Sequence, residues 1–153
     1  MKQHVIQALR DKLATELDAV ESVAAATRSE VGSDETKQEG KYDTRATEAS
    51  YLARGQAWRV AELRQLVAWF SALEARPMET ATVGALVEVE GPRTELLFIA
   101  PVGGAKVEVG GRTVRVVSTA SPLGSALAGL EEGDGFEVDT PRGRVDYEVL
   151  SVR

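Results

Sequence analysis

The sequence has no cysteine and a single histidine, His4. The first absence excludes a disulfide framework, a thiolate nucleophile and a Cys-ligated metal. The second excludes a His-rich metal centre and leaves any Ser-His-Asp arrangement dependent on a residue in the first turn of the chain. His4 itself is expected in solvent. Aromatic residues make up 5% of the chain, and beyond Pro77 only Phe98, Phe136 and Tyr147 remain to line a pocket. Long apolar runs are also missing. The most apolar stretch, Leu96 to Ala105, is broken by Pro101, Gly103 and Gly104, too short to span a bilayer. Met1 to Gln7 has charge but no apolar h-region, so no signal peptide is read and the cytoplasm is the expected compartment. Positive charge is not in excess either: 24 acidic residues face 18 basic ones, a net of −6. That balance argues against a broad grip on duplex nucleic acid, and no sequence-specific DNA partner is expected. What is present is 153 residues, 43% hydrophobic and 27% charged. This is enough for one sizeable packed domain or two small ones.

The chain changes character near Pro77. Residues 1–76 hold three glycines and no proline, while residues 77–153 hold eleven glycines and all five prolines. The shift makes Arg76-Pro77-Met78-Glu79 a candidate joint between a segment 1–76 and a segment 79–153. In the first segment Ile6, Leu9, Leu13, Leu17, Val20, Ala24 and Thr27 recur at spacings of three and four, one stripe of an amphipathic helix. Leu52, Trp58, Leu63, Leu66, Phe70 and Leu73 suggest a second stripe that ends before Pro77, with Trp58, Trp69 and Phe70 expected in its core. Ala24-Ala25-Ala26 favours helix and close approach of a partner. The connector between the stripes, about residues 30–43, is polar, with five acids against Lys37 and Lys41. The expected result is an antiparallel hairpin with arms of about 45 Å, the length of 30 residues at 1.5 Å each.

The second segment alternates. Leu86–Glu90, Lys106–Val109, Thr113–Val117, Phe136–Val138 and Val145–Leu150 read as strands of period two. Gly110-Gly111 fits a tight hairpin turn, and Pro141-Arg142-Gly143 fits another. Ser121 followed by Pro122, with a glycine at 129, frames one short helix. The expected class is α+β: a two-helix coiled-coil hairpin, then a small antiparallel sheet crossed by a short helix.

The stretch from Val117 through Ser121-Pro122-Leu123-Gly124 to Gly133-Asp134, then Val138-Asp139-Thr140-Pro141-Arg142-Gly143 and Tyr147-Glu148-Val149-Leu150, resembles the carboxyl-terminal domain of bacterial Gre transcription elongation factors. The order matches that family's strand, Ser-Pro pair, short helix, Gly-Asp, strand, turn and final Tyr-Glu strand. Val83-Gly84-Ala85-Leu86-Val87 is similar to the opening of the same domain. Gly40 to Tyr51 looks like the divergent GreA/GreB-like members rather than a standard cleavage factor. The resemblance implies an amino-terminal coiled coil and an FKBP-like carboxyl-terminal domain.

It also implies a role. Gre factors bind core RNA polymerase at the rim of its secondary channel and insert the coiled coil towards the active centre. They are not enzymes; tip carboxylates help the polymerase cleave its own backtracked transcript by sharing a Mg²⁺ held there. Counting back from Tyr42 places Glu35 and Gln38 at the family's two acidic tip positions, and Gln38 carries no charge. Asp34, Glu35 and Glu39 are therefore the tip carboxylate candidates, with Asp34 and Glu35 the candidate ligands of a shared Mg²⁺. The Ser-Pro loop makes Ser121, Pro122 and Leu123 the polymerase-docking candidates. Arg45, Arg54, Arg59 and Arg64 suit either a stripe towards nascent RNA, touched only through the polymerase, or surface ion pairs.

Three readings compete with a cleavage-stimulating factor. The first is a channel-binding factor without cleavage activity, acting as an inhibitor or a modulator of initiation. The second is a prolyl isomerase, for which the aromatic supply after Pro77 is thin. The third is a coiled-coil interaction module, with the chain a monomer or weak dimer. Residues 1–78 carry 11 basic and 12 acidic groups, whereas residues 79–153 carry 7 and 12. Acidity is thus concentrated where a protein partner is expected.

Overall fold

The computed structural model describes residues 1–31 and 44–153, without the side chains of residues 28–31, 44–46 and 49. Helix α1 runs over Lys2–Val31 and helix α2 over Thr44–Ala72. Six strands follow: β1 Leu86–Glu90, β2 Thr94–Ala100, β3 Lys106–Val109, β4 Arg112–Ser118, then helix α3 Pro122–Leu127, β5 Gly135–Thr140 and β6 Gly143–Val152. The chain divides into two compact units, one of Met1–Arg10 with Ala72–Arg153, the other of Asp11–Ser71.

In the unit Asp11–Ser71, α1 and α2 run antiparallel, because small and apolar residues meet along one seam. Leu13, Ala24 and Thr27 of α1 are buried, as are Val60, Leu63, Leu66 and Phe70 of α2. Two bridges tie the helices on the outside: Arg59 to Glu16 at 2.6 Å and Arg64 to Glu21 at 2.8 Å. The α1 stripe is as the spacing predicts. In α2 the first half of the stripe is not: Leu52 is 57% exposed and Trp58 is 77% exposed. Ala53, Ala57 and Val60 line a hollow of 320 Å³ there with Ala24 and Ala25 of α1, and of the three from α2 only Val60 is buried. A spacing of six from Leu52 to Trp58, and five from Trp58 to Leu63, falls off the three-four rule that keeps residues on one face. Trp69 and Phe70 meet edge to face, with centroids 4.9 Å apart, and Phe70 is fully buried.

In the other unit, Val5, Ile6 and Leu9 of α1 are buried. The joint is held by Lys2 Nζ donating to the Arg76 carbonyl and Arg10 to that of Leu73, both at 2.6 Å. Burial holds the Lys2 ammonium below the usual lysine range. The six strands form one sheet in the order β3-β4-β2-β1-β6-β5. It is mixed rather than antiparallel throughout: β2 pairs with β4 in parallel, Leu97 opposite Arg115 and Ile99 opposite Val117. Periodicity missed β2 altogether, because residues 96–100 are buried without a break. A central strand covered on both faces reads as a continuous apolar run, not an alternation. Leu97 and Ile99 join Ala85, Val87, Val117, Leu127 and Val149 in one cluster. Leu96 and Phe98 alternate to the other face and are equally buried. Gly110 and Gly111, with φ of 59° and 76°, make the β3–β4 turn, as two positive φ values in succession require.

Candidate functional site

The two expected sites lie in different parts of the chain. Asp34, Glu35 and Glu39, with Gln38 and Tyr42, fall outside the described residues. Among the described residues, no group of three His, Cys, Asp or Glu side chains is placed to hold a metal ion. The other site, at α3, is fully described.

Ser121 is the N-cap of α3, with φ −74° and ψ 155°, and Pro122 occupies the first helical turn. The Ser121 hydroxyl is already engaged twice. It donates to the Ser118 carbonyl at 2.7 Å and accepts from the Gly124 N–H at 3.1 Å. A side chain at Gly124 would collide with the Ser118 carbonyl oxygen, so only glycine lets the helix start this close to the end of β4. Leu123 packs partly against the core cluster, which also holds Leu127. The three docking candidates are thus brought together, with unequal parts. Ser121 fixes the loop, Leu123 anchors it, and of the three only Pro122 is exposed.

Pro122 rims a groove of 830 Å³ whose lining includes Gly103, Gly104, Ser118, Val138, Asp139 and Tyr147. Tyr147 stacks on Phe136, centroids 5.1 Å apart and planes within 11°. A Cβ at Gly91 would strike the Tyr147 ring, so glycine there leaves the ring its room. Sequence reasoning missed three other groove residues, Arg93, Lys106 and Arg115. The signal was available, since a two-residue turn at Gly110-Gly111 fixes the β3–β4 register and puts Lys106 opposite Arg115.

On the hairpin, Arg59 and Arg64 are engaged by glutamates, the ion-pair reading of the arginine stripe. Partial burial works against the Arg59 charge, but hydrogen bonds and attraction from Glu16 and Glu62 outweigh it and raise its pKa. Arg54 instead lies over the Tyr51 ring, 5.1 Å from its centroid. The Arg45 side chain is outside the description. His4 is exposed, as expected.

Residues 76–153 match the family described as "Transcription elongation factor, GreA/GreB, C-term". The "Transcription inhibitor protein Gfh1" of Thermus aquaticus is 33% identical over 114 residues, covering 72% of this chain and 71% of that protein. The "Transcription elongation factor GreA" of Syntrophobacter fumaroxidans is 42% identical over 74 residues, covering 48% of this chain and 46% of that one. The crystal structure of Thermus aquaticus Gfh1 aligns over 96% of this chain and 95% of its own, at 20% identity and a TM-score of 0.41.

Proposed function

Because the chain belongs to the GreA/GreB family of transcription elongation factors, we propose that it is a regulator of bacterial RNA polymerase that works through that enzyme and has no catalysis of its own. The sheet domain docks at the rim of the secondary channel through the Pro122 loop, and the helical hairpin reaches into the channel. The observation that carries this reading is the family match over residues 76–153, which includes the whole Ser121–Leu123 loop and the groove beside it. The site of action is the cytoplasm, RNA is met only through the polymerase, and the chain acts as a monomer or weak dimer.

The direction of the effect is inhibition. Two observations favour it over stimulated cleavage: Gln38 stands where the resemblance expects the second tip acid, and a relative 33% identical over 72% of this chain is named a transcription inhibitor. If the chain stimulated cleavage, Asp34 and Glu35 would be the residues sharing a polymerase-held Mg²⁺, with Glu39 adjacent. Oxygen ligands suit that ion.

Capture of core polymerase by the tagged protein tests docking, and failure to capture it ends the proposal. With docking established, multi-round transcription and cleavage of a stalled, backtracked complex are measured with and without the protein. The expected outcome is reduced transcript yield with no added cleavage. Accelerated cleavage reverses the proposed direction. The double substitution Asp34→Ala and Glu35→Ala is expected to keep docking, which this reading assigns to the Pro122 loop, and to relieve the inhibition. Undiminished inhibition in that variant removes the two carboxylates from the mechanism.

A further inference from the structure

The hairpin carries a second apolar stripe beside its buried seam. Ala19, Val20 and Val23 of α1 and Leu52, Gly55 and Gln56 of α2 follow the three-four spacing and line one hollow of 500 Å³. Val23 and Leu52 are each more than half exposed, as is Tyr51 at the same hollow. Two residues there are chosen against the needs of a lone hairpin. Gly55 stands inside a helix of 29 residues, where only proline is less favourable. A Cβ at Gly55 would meet no described atom within 4 Å, so the hairpin's own packing does not require the glycine. A helix face bared in this way lets another backbone come close. Gln56 is the second: its Oε1 is buried with no hydrogen-bond partner among the described residues. Native structures rarely leave such an atom unanswered.

The chemistry of the face selects its occupant. An amide carries both donors and an acceptor, so a second copy of the same group satisfies it, whereas a carboxylate or guanidinium requires its opposite. The cations at the rim are answered within the chain: Arg59 by Glu16 and Glu62, and Arg54 by the Tyr51 ring. The same surface also holds both halves of a fit, a recess at Ala19 and Gly55 and projecting side chains at Val23 and Leu52. A two-fold interface needs one patch that complements itself. The patch spans little more than one turn of each helix, which places it at the small, weak end of specific interfaces.

We propose that this face pairs the hairpin with a second copy of the chain. The two α2 helices run antiparallel about a two-fold axis beside Gly55 and Gln56, and the two Gln56 amides bond across it. Each Leu52 enters the hollow of the other copy. Rotation of the Gln56 side chain into the hollow it lines exchanges its unanswered oxygen for that bond, as a buried amide does when it fixes register in a helical bundle. The pairing stands apart from polymerase docking, and neither depends on the other.

The test is sedimentation of the full chain between about 10 μM and about 1 mM. The average mass should rise from monomer towards dimer, with a midpoint on the order of 100 μM. Gly55→Leu adds apolar surface and helix propensity but fills the recess. It should weaken association about tenfold or more while helicity by circular dichroism stays level or rises. Leu52→Glu should abolish association, since it buries a charge with no partner. Trp58→Ala changes a side chain that is more exposed still and lies outside the hollow, and should associate as the parent does. The Gln56 side-chain NH₂ signals should shift with concentration in the parent and stay fixed in Leu52→Glu.

A monomeric mass throughout the range would overturn the proposal. Association in Gly55→Leu as strong as the parent's, or stronger, would do the same, because a merely sticky patch gains from added apolar surface. Loss of association in Trp58→Ala but not in Leu52→Glu would move the contact to another face and end this one. Fixed Gln56 signals in an associating parent would remove the amide pair and the axis with it. A monomeric parent whose capture of core polymerase is lost in Gly55→Leu would give the hollow to the polymerase instead of a second copy.

Discussion

The two units hold themselves together in different ways. The sheet domain covers its central strand on both faces: residues 96–100 are all buried, and Leu127 of α3 closes over one side. Among the described residues, the unit Asp11–Ser71 buries apolar side chains along the α1–α2 seam and leaves Tyr51, Leu52 and Trp58 exposed. Burial scales with the number of layers, so a pair of helices can never match a sheet covered on both faces. The difference teaches where each unit can change. The sheet domain is fixed by packing, which leaves least freedom to its central strand and most to the loops at its rim. The hairpin is fixed along one line and leaves most of its surface free to be read by something else.

The most direct way to break that contrast is to make the same deletion in both units. Leu127→Ala removes a fully buried side chain, and is expected to cost about 4 kcal/mol, the transfer loss plus the cavity left behind. Leu52→Ala removes a side chain that is 57% exposed, and should stay within about 0.5 kcal/mol. Both tryptophans lie in α2, at 58 and 69. Their fluorescence follows the hairpin, while amide exchange in β2 and β6 follows the sheet. Similar losses for the two variants would mean that the exposed leucine is held by contacts the fold does not reveal. A smaller effect is expected at the edge of the sheet core. Gly124→Ala forces α3 away from the Ser118 carbonyl, at roughly 2 kcal/mol. It should also loosen the Ser121 cap, so exchange at the Gly124 and Ser125 amides rises first. Unchanged protection there would show that α3 can shift without strain.

The architecture was legible wherever one face of an element is wet. The α1 stripe, five of the six strands, the Gly110-Gly111 turn and the Ser121-Pro122 helix start all follow from local pattern. Legibility failed where that condition fails. Strand β2 has no wet face and so no alternation, and its parallel pairing with β4 depends on a crossover that no local signal encodes. Leu52 and Trp58 failed for the opposite reason. Apolar character suggested burial, yet it is the small Ala53 and Ala57 that line the hollow shared with α1, while the large side chains stand outside. At the candidate site, Ser121, Pro122 and Leu123 were legible only through family resemblance. The Lys106–Arg115 pair was legible from turn length alone, because the register places them opposite once the turn is fixed.

The smallest effect sharpens the comparison most, because it holds the chemistry constant. Each unit has an arginine–glutamate bridge at 2.6 Å: Arg59–Glu16 between the helices, and Arg115–Glu95 across β4 and β2. The arginines are equally exposed, at 46%, but Glu16 is 35% exposed and Glu95 only 12%. Solvent screens the first bridge from both ends and the second largely from one. Double-mutant cycles to alanine should therefore give a coupling of about 0.5 kcal/mol for the hairpin pair and about 1 kcal/mol for the sheet pair. Arg59 also has Glu62 at 3.1 Å, so removing Glu16 alone leaves its charge partly answered. That makes the single change Glu16→Ala milder than Glu95→Ala. Raising the salt to about 1 M, where the screening length falls to about 3 Å, should erase most of the hairpin coupling and less of the sheet coupling. Equal couplings with equal salt response would mean that burial of one carboxylate does not distinguish the two environments, and the contrast between the units would then rest on apolar packing alone.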